Sequence, residues 1–431
     1  GAGASLSTPA MRADYRKRAD KPGAIAKQAG NVDAVLEAAA TRIEAVYEVP
    51  FLAHAPMEPL NCTVEIGKDG CEIWTGTQFQ GVDQGVVAGI LGIKPEQVKI
   101  HTQFLGGGFG RRANPQSDFI AEAVHVAKAA NKPVKIVWTR EDDIHGGYYR
   151  PMWLSRFVAA LGADGMPSAW THTVVGQSIA AGTPFAAGMI KDGVDVTSVE
   201  GAADSPYLAA IAAHRVDLHT PESPIPVLWW RSVGHSHTAF VVESFVDELA
   251  HAAKVDPLAY RRKLLPADSR NLRALELAAR EFGWGKPLAK GHAAGLAAHE
   301  SFGSHVAQVA ELSVEDGRIR VHRVVCAIDC GPVVNPMTIE AQMQSAIAFG
   351  LSAALHSEVT FKDGKVEQSN FHDYRVLRLD EMPKVEVHIV KSTEKMGGVG
   401  EPGLPPIAPA VANALFALTG KRLRNLPLKL A

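Results

Sequence analysis

Long hydrophobic runs, a strong net charge and cysteines at metal-binding spacing are all missing from this 431-residue chain. No run reaches the roughly 18 apolar residues that a membrane-spanning helix needs, and the N-terminal segment has no apolar core of the signal-peptide type. The net charge is only −2 when the 17 histidines are neutral, which is not typical of a protein that binds polyanions. We therefore expect no membrane span, no signal peptide and no nucleic-acid partner.

Only four cysteines occur, at positions 62, 71, 326 and 330, and none has C-x₂-C spacing. Cys326 and Cys330 lie in Val-Cys-Ala-Ile-Asp-Cys-Gly, which indicates a strand that enters a turn, with both residues on one face. We interpret them as buried thiols. They do not indicate a cellular compartment.

The composition and the turn signals predict an α+β protein of two domains. A hydrophobic content of 46% and a charged content of 21% are typical of a globular chain, and the length exceeds what one core usually supports. Four Asp-Gly turns, at residues 69–70, 164–165, 316–317 and 363–364, predict hairpins. Mixed or antiparallel sheets with packed helices are therefore expected, rather than a doubly wound parallel sheet.

The segment 264–271, Leu-Leu-Pro-Ala-Asp-Ser-Arg-Asn, is the clearest candidate for a domain boundary. We predict a lead-in or strap over residues 1–45, a first domain over 46–265 and a second over 266–431. The first segment is charged and rich in alanine, and it offers no apolar face large enough to fold alone.

A glutamate stands among glycines near the C-terminal end, in Lys395-Met-Gly-Gly-Val-Gly-Glu401-Pro-Gly403. The next segment, about residues 405–419, repeats apolar residues at helical spacing before Gly420, which predicts a helix. The free N–H groups and positive dipole end of that helix would face the space around Glu401. Glu401 is thus a candidate catalytic base or part of an anion site, and a solvated glutamate in a tight turn is the alternative.

A second glycine run, Gly106-Gly-Gly-Phe-Gly-Arg-Arg112, lies between a predicted strand at 98–105 and a helix to residue 130 capped by Ser117. Such a run can wrap backbone amides around an oxyanion, and the two arginines add positive charge. It matches neither a P-loop nor a dinucleotide fingerprint. A bulge, or a loop packed under another chain, is the alternative. Phe109 either fills the core or forms the wall of a pocket.

The histidines give no metal-binding pattern. His235 and His237 form an H-x-H pair, but no third ligand stands at a recognisable spacing. We interpret them as part of a polar loop ahead of a helix over about residues 238–254. His299 and His305 do not form an H-E-x-x-H motif, because they are six positions apart. We predict no metal ligand among the side chains of this chain.

Five motifs in this order resemble the molybdenum hydroxylases, the superfamily of xanthine dehydrogenase and aldehyde oxidase. They are Thr77-Gln-Phe-Gln80, Gly106-Gly-Gly-Phe-Gly-Arg-Arg112, Arg231-Ser-Val-Gly234, Asp329-Cys-Gly with Asn335-Pro336, and Gly398-Val-Gly-Glu-Pro-Gly403. The glycine run with two arginines, and the ending from Gly400 to Asn413, are similar to the isoquinoline 1-oxidoreductase β-subunit branch. The resemblance runs from about residue 50 to the end of the chain.

The resemblance implies a fold of two molybdopterin-binding domains and a role for each matched residue. Glu401 would be the catalytic base in the second domain. The implied cofactor contacts are Gln78, Gly107, Gly108, Phe109, Gly110, Arg231, Gln342, Gly398 and Gly400. Arg111 and Arg112 are added as phosphate neighbours because of their charge. The implied cofactor is molybdopterin cytosine dinucleotide with molybdenum, and the implied substrate is an N-heteroaromatic compound or an aldehyde.

One departure from the family pattern bears on the partners of the chain. No Gly-Gln-Gly occurs in the sequence, whereas the family has this loop in an upstream region with a β-rich hammerhead domain. We therefore expect an upstream portion, as a separate chain or a cleaved fragment, to complete the site. No iron–sulfur cysteine pattern is present, so the resemblance implies a separate 2Fe–2S subunit, with a cytochrome c as a further candidate partner. Cytoplasm and bacterial periplasm both stay open.

Two other functional classes remain beside a molybdenum hydroxylase. A noncatalytic structural or assembly subunit could keep the fold without turnover. Whether replacement of Glu401 by glutamine changes any activity would distinguish this hypothesis from that of a molybdenum hydroxylase. An unrelated protein could use the glycine loops to bind an anion, and the presence of bound pterin would exclude this third hypothesis.

Overall fold

The computed structural model of the protein describes residues 3–430, so the outer limits of the predicted domains, at residues 1, 2 and 431, lie outside it. The described helices are α1 (Thr8–Arg18), α2 (Val32–Ala38), α3 (Gln80–Leu91), α4 (Asp118–Ala130), α5 (Arg140–His145), α6 (Ala186–Met189), α7 (Val196–Val199), α8 (His235–Ala252), α9 (Pro257–Leu264), α10 (Arg270–Phe282), α11 (Pro336–Leu355) and α12 (Ile407–Thr419). None of these helices combines the length and the apolar content needed to cross a membrane.

The strands form three larger sheets and two short hairpins. They are β1 (Ala24–Ala29), β2 (Arg42–Val49), β3 (Asn61–Ile66), β4 (Cys71–Thr75), β5 (Val98–Thr102), β6 (Val134–Val137), β7 (Trp153–Leu161), β8 (Pro167–Gly176), β9 (Ile190–Lys191), β10 (Val194–Asp195), β11 (Ala213–His219), β12 (His292–Ser301), β13 (Ser304–Glu315), β14 (Arg318–Asp329), β15 (Phe361–Lys362), β16 (Lys365–Val366) and β17 (Lys384–Ile389).

The first sheet has the strand order β1-β11-β8-β7-β2, and only the β11–β8 pair is parallel. A second sheet, in the order β12-β13-β14-β17, has one parallel pair, β14–β17. A smaller sheet, β5-β4-β3-β6, packs against α3 and α4 around its own apolar cluster. Mixed sheets with packed helices confirm the predicted α+β class.

One buried apolar cluster connects the two large sheets. It runs from Phe157 and Trp170 of the first sheet through Phe245 of α8 to Val309 of the second sheet and Val411 of α12. Because α8 contacts both α12 and β12, the halves share a core instead of meeting only at their surfaces. The predicted boundaries at residues 45 and 265 stay predictions, although β1 and β2 already pair with strands of the first sheet.

The four predicted Asp-Gly turns are confirmed as hairpin turns, and a fifth Asp-Gly pair, at residues 192–193, connects β9 to β10. The four predicted turns connect β3 to β4, β7 to β8, β13 to β14 and β15 to β16, and each of these pairs is antiparallel. The prediction that the Ser117 side chain caps α4 is wrong. Ser117 stands at the N-cap position without capping the helix, because its hydroxyl donates instead to the buried Asp83 at 2.6 Å.

Gly295 provides a test of how closely α12 packs against β12. A Cβ at this position of β12 would lie 2.2 Å from Ala414 N and 2.4 Å from Ala410 O of α12, so the helix must move to admit it. We expect Gly295→Ala to lower the free energy of unfolding by about 1–3 kcal/mol, measured by denaturant titration. Gly89→Ala is the control, since a Cβ there meets nothing within 4 Å and alanine favours the helix by about 1 kcal/mol. Equal stability of the two variants would contradict the packing.

Candidate active site

The loop of Glu401 meets the turn that precedes α8. The Ser232 N–H donates to Glu401 Oε1 at 2.9 Å, and Ser232 Oγ donates to the main-chain oxygen of Glu401 at 2.9 Å. These bonds fix both the backbone and the carboxylate, and they leave Oε2 as the oxygen that can take up a proton. Gly400 and Glu401 are both partly exposed, and a Cβ at Gly400 would meet nothing within 4 Å, so the backbone next to the carboxylate is not covered by other described residues. The helix predicted after Glu401 is confirmed as α12.

The turn itself holds an unusual backbone conformation. Ser232 has φ 74° and Val233 has φ 46°, and a β-branched residue rarely adopts this left-handed region. Such strain costs on the order of 1–3 kcal/mol per residue and persists only where the surroundings enforce it. The contacts between Ser232 and Glu401 provide part of that enforcement.

The Arg231 side chain contacts two other predicted site residues, Gly400 and Gln342, and also Ser345. Its Nε donates to Gly400 O at 2.8 Å, its Nη2 to Gln342 Oε1 at 2.9 Å and its Nη1 to Ser345 Oγ at 3.1 Å. Burial lowers the pKa of Arg231 to about 10, and the negative charge of Glu401 opposes this shift. The guanidinium therefore stays protonated at neutral pH. Gln342 lies on α11 and is partly exposed, so its NH₂ group can donate to a ligand.

The glycine run joins the same turn from the other side. Gly107 and Gly110 have φ values of 104° and 106°, and Phe109 has φ 55°. A Cβ at Gly110 would lie 2.4 Å from Trp229 O, so only glycine allows this approach. The Arg231 N–H donates to Phe109 O at 2.9 Å, which fixes the loop beside the turn.

The ring of Phe109 belongs to an aromatic stack. It lies on Phe349 of α11 with ring centroids 4.2 Å apart, and Trp230 stacks on Phe349 at 4.6 Å. Phe109 remains partly exposed, so it packs on one side and borders open space on the other. The sequence pattern does not indicate Phe349, because this residue lies outside the apolar stripe that predicts α11.

Gln78 lies over the glycine run. Its N–H donates to Arg112 O at 3.0 Å and its side chain is exposed. A Cβ at Gly108 would lie 2.5 Å from Gln78 Oε1, so the glycine makes room for the carboxamide. The structure thus brings Gln78 and the loop together, as the motifs predict.

The two arginines of the run support the loop from behind. Arg111 is buried and donates from both Nη atoms to Asp118, at 3.0 and 2.5 Å. Arg112 donates from Nε to Gly107 O at 2.9 Å and from Nη2 to Glu58 Oε2 at 2.8 Å. Both positive charges are already paired with carboxylates. This placement gives no support to the predicted contact between Arg111 and a cofactor phosphate.

Gly398 anchors the glutamate loop to the hairpin of β12 and β13. Its N–H donates to Phe302 O at 2.8 Å, and its carbonyl accepts from Ser304 Oγ at 2.6 Å. The Glu401 loop is therefore held at two places, by this hairpin and by the turn before α8. Such a double anchor keeps a reactive carboxylate in one position.

A second carboxyl group, which the sequence did not reveal, lies beside the same turn. The Gly234 N–H donates to Glu200 Oε1 at 2.6 Å. The pKa of Glu200 is raised to about 8, chiefly by burial; the charges of Asp204 and Glu401 act in the same direction, and the Gly234 hydrogen bond acts in the opposite direction. Glu200 follows a short helix without any motif around it, so no local signal could have identified it.

The H-x-H pair belongs to α8, so its interpretation as a polar loop is wrong. The helix begins at His235, whose Nδ1 lies 2.9 Å from His299 Nε2. His237 stacks on Trp153 with ring centroids 4.2 Å apart. Within residues 3–430, no group of three or more His, Cys, Asp or Glu side chains is arranged to hold a metal ion. All four cysteines are buried and free.

The comparisons with known proteins agree on one kind of fold. A family described as a molybdopterin cofactor-binding domain matches residues 17–265, and a second family of the same description matches residues 234–383. A solved structure of quinoline 2-oxidoreductase from Pseudomonas putida 86 has a TM-score of 0.79 at 12% identity, covering 93% of this chain and 77% of that one. CO dehydrogenase from Oligotropha carboxidovorans has a TM-score of 0.76 at 14% identity, covering 93% and 76%.

Two relatives align with almost the whole chain. The β-subunit of isoquinoline 1-oxidoreductase from Brevundimonas diminuta is 36% identical over 410 residues, which are 93% of this chain and 52% of that protein. The membrane-bound aldehyde dehydrogenase (pyrroloquinoline-quinone) from Gluconacetobacter polyoxogenes is 31% identical, covering 92% and 54%. The chain thus spans about half the length of these relatives.

Proposed function

Because this chain belongs to the molybdopterin cofactor-binding family of the molybdenum hydroxylases, we propose that it is part of the catalytic subunit of such an enzyme. Glu401 is the proposed general base. The observation that carries the proposal is the fixed carboxylate of Glu401, a partly exposed residue, which accepts the Ser232 N–H at 2.9 Å. A base must be held at one position before it can take a proton from a reacting group.

The residues present fit a flat cofactor with many hydrogen-bonding groups. The exposed carboxamide of Gln78 lies over glycines that leave no side chain in the way. The NH₂ group of Gln342 is free to donate, because its oxygen already accepts from Arg231. The proposed contacts are Gln78, Gly107, Gly108, Phe109, Gly110, Arg231, Gln342, Gly398 and Gly400. We leave Arg111 out of this set because its charge is paired with Asp118.

The bound cofactor would supply the redox chemistry, and the chain would supply placement and a proton acceptor. In the overall reaction, a substrate C–H becomes C–OH with oxygen from water, and two electrons and two protons are released. Glu401 accepts one proton at Oε2 while Oε1 keeps its bond to Ser232. Arg231 and the turn hold the glutamate loop, and the stack of Phe109 on Phe349 excludes water from one side of the site. The proposed substrate is an N-heteroaromatic compound or an aldehyde.

The proposed partners follow from what the chain does not contain and from its relatives. Relatives of this chain are named as subunits. The chain spans about half the length of the isoquinoline 1-oxidoreductase β-subunit and of the membrane-bound aldehyde dehydrogenase. We propose that an upstream portion with a hammerhead domain completes the site, that a 2Fe–2S subunit takes the electrons, and that a cytochrome c is a further candidate acceptor. The proposed form of the cofactor is the cytosine dinucleotide.

The cofactor can be tested directly on the native complex. We expect the chain, purified with its upstream portion, to contain molybdenum by mass spectrometry and to release cytidine monophosphate in acid, in equal amounts. A well-folded complex that lacks both would remove the proposed cofactor and the role of Glu401. Molybdenum without cytidine monophosphate would exclude only the dinucleotide form.

A noncatalytic assembly subunit is the alternative function. It would keep the fold and the glycine loops but would not need a base in a fixed position. The two bonds from Ser232 to Glu401 favour the catalytic function, because a structural role does not require the carboxylate to be oriented.

A further inference from the structure

Two carboxyl groups from distant parts of the chain are attached to one backbone turn. The Ser232 N–H donates to Glu401 at 2.9 Å, and the Gly234 N–H donates to Glu200 at 2.6 Å. The two amides are two residues apart, so their acceptors are neighbours. The proposed function uses only Glu401, and Glu200 is left without a role.

The local fold holds Glu200 firmly in this position. Its main-chain oxygen accepts from Thr238 Oγ1 at 2.8 Å. The next residue, Gly201, has φ 77°, and its N–H donates to Asp204 at 2.5 Å. A Cβ at Gly201 would lie 2.6 Å from Thr238 Oγ1 and 2.7 Å from His299 Cε1. The glutamate is therefore presented by a turn that is packed on both α8 and β12.

Among residues 3–430, no lysine or arginine forms an ion pair with Glu200. Its nearest basic side chain is His235, whose Nε2 lies 3.8 Å from Glu200 Oε2, beyond hydrogen-bond distance. Burial lowers the pKa of His235 to about 4 and that of His299 well below its ordinary value, so this pair is neutral near pH 7. The other charged groups that act on Glu200 are the carboxylates of Asp204 and Glu401. The surroundings thus favour the neutral acid.

The side chain of Glu200 is not fully enclosed. A quarter of the Glu200 side chain is exposed, at 25%. Phe302 packs against His235 with ring centroids 5.6 Å apart and is itself exposed. Because Phe302 O accepts from the Gly398 N–H, Phe302 lies next to the loop that carries Glu401. His235 thus lies beside both the exposed ring of Phe302 and Glu200 Oε2, so a ligand packed on this ring would be close to Glu200.

We propose that the carboxylic acid of Glu200 donates a hydrogen bond from Oε2 to an acceptor atom of the substrate. The acceptor is a ring nitrogen or a carbonyl oxygen next to the carbon that is oxidised. This inference rests on the proposed function and adds a specificity-determining residue to it. Glu401 removes a proton, while Glu200 orients the substrate and polarises the carbon beside its acceptor atom.

The test is the pH dependence of kcat/KM for the loaded complex, with the N-heteroaromatic compound or aldehyde that it oxidises. Below pH 8 Glu200 is protonated and can donate, so we expect the wild type to lose kcat/KM as the pH rises above about 8. Glu200→Gln keeps an N–H donor and should abolish this alkaline decline. Glu200→Ala has no donor and should raise KM by about tenfold to a hundredfold. Glu300→Gln is the matched control, because this neighbouring carboxyl group lies near His305 instead, and its profile should follow the wild type.

A second measurement needs neither cofactor nor turnover. The folded-state pKa of Glu200 lies above its unfolded value, so its contribution to stability is complete below the unfolded pKa and is lost as the pH rises to about 8. We expect the unfolding free energy of the wild type to fall over this interval relative to that of Glu200→Gln. Parallel stability curves, or an alkaline decline that persists in Glu200→Gln, would overturn the inference. A complex in which Glu401→Gln has no effect would instead overturn the proposed function, while the stability curves would still report on Glu200.

Discussion

Glu401→Gln lowers the kcat of the loaded complex by about 10²–10⁴-fold, the usual contribution of a positioned general base. Glutamine has the size of glutamate and its oxygen can still accept the Ser232 N–H, so the loop should keep its place. What disappears is the lone pair at Oε2 that takes the proton. We therefore expect KM to change little and the bound molybdenum to stay at the wild-type level.

The matched control for this variant is Glu394→Gln. Glu394 lies upstream in the segment that leads to Glu401, it is half exposed, and its carboxylate pairs with Arg273 at 3.3 Å. Its replacement should leave kcat unchanged. A fully loaded Glu401→Gln complex with wild-type kcat would show that Glu401 is not the base. A wild-type complex that binds the cofactor but oxidises no member of either substrate class would favour the assembly subunit.

The largest effect on stability is expected at a buried ion pair behind the site. Glu243 of α8 and Arg261 of α9 are both fully buried, and Arg261 Nε donates to Glu243 Oε2 at 2.9 Å. The same carboxylate accepts from Tyr207 Oη at 2.5 Å and from the Ala298 N–H at 3.1 Å. Arg261→Met leaves this carboxylate buried without a cation. We expect the free energy of unfolding to fall by about 3–5 kcal/mol, measured by denaturant titration.

The adjacent arginine is the control for that measurement. Arg262 pairs with Glu276 at 2.5 Å, but both side chains are at least 40% exposed. Exposed pairs contribute little, so Arg262→Met should change the stability by at most about 1 kcal/mol. Combining Arg261→Met with Glu243→Leu removes both charges and should recover much of the lost stability. If the double variant were as unstable as Arg261→Met, the unpaired charge would not be the cause.

The sequence predicted the elements whose signals are local. Each Asp-Gly turn carries its own conformational preference, and α11 and α12 have a repeating apolar face. The Ser117 cap failed for the opposite reason, since its hydroxyl is drawn to Asp83, which lies 34 positions away. The sequence predicts the start of α8 at about residue 238, three residues later than the structure has it. The packing of His237 on Trp153 is a long-range contact that the neighbouring residues do not indicate.

The sequence predicts only those residues of the candidate site that belong to a recognisable motif. Gln78, Arg231, Gln342 and Glu401 all belong to segments that the family resemblance marks. Glu200 belongs to no such segment. Its hydrogen bond to the Gly234 amide and its burial near Glu401 exist only in the folded chain, so the sequence cannot indicate them. Phe349 was missed in the same way, since its partners Phe109 and Trp230 are far apart in the sequence.

The turn before α8 also bears on the order in which the protein folds. Ser232 and Glu401 are 169 positions apart, and contacts of such long range form only after a large loss of chain entropy. The left-handed conformation of Ser232 and Val233 is costly until that contact exists. The proposed base and the turn that orients it should therefore reach their final geometry late, when the two halves of the shared core have already come together. A nascent chain that has folded only its first sheet would hold the turn in a relaxed conformation.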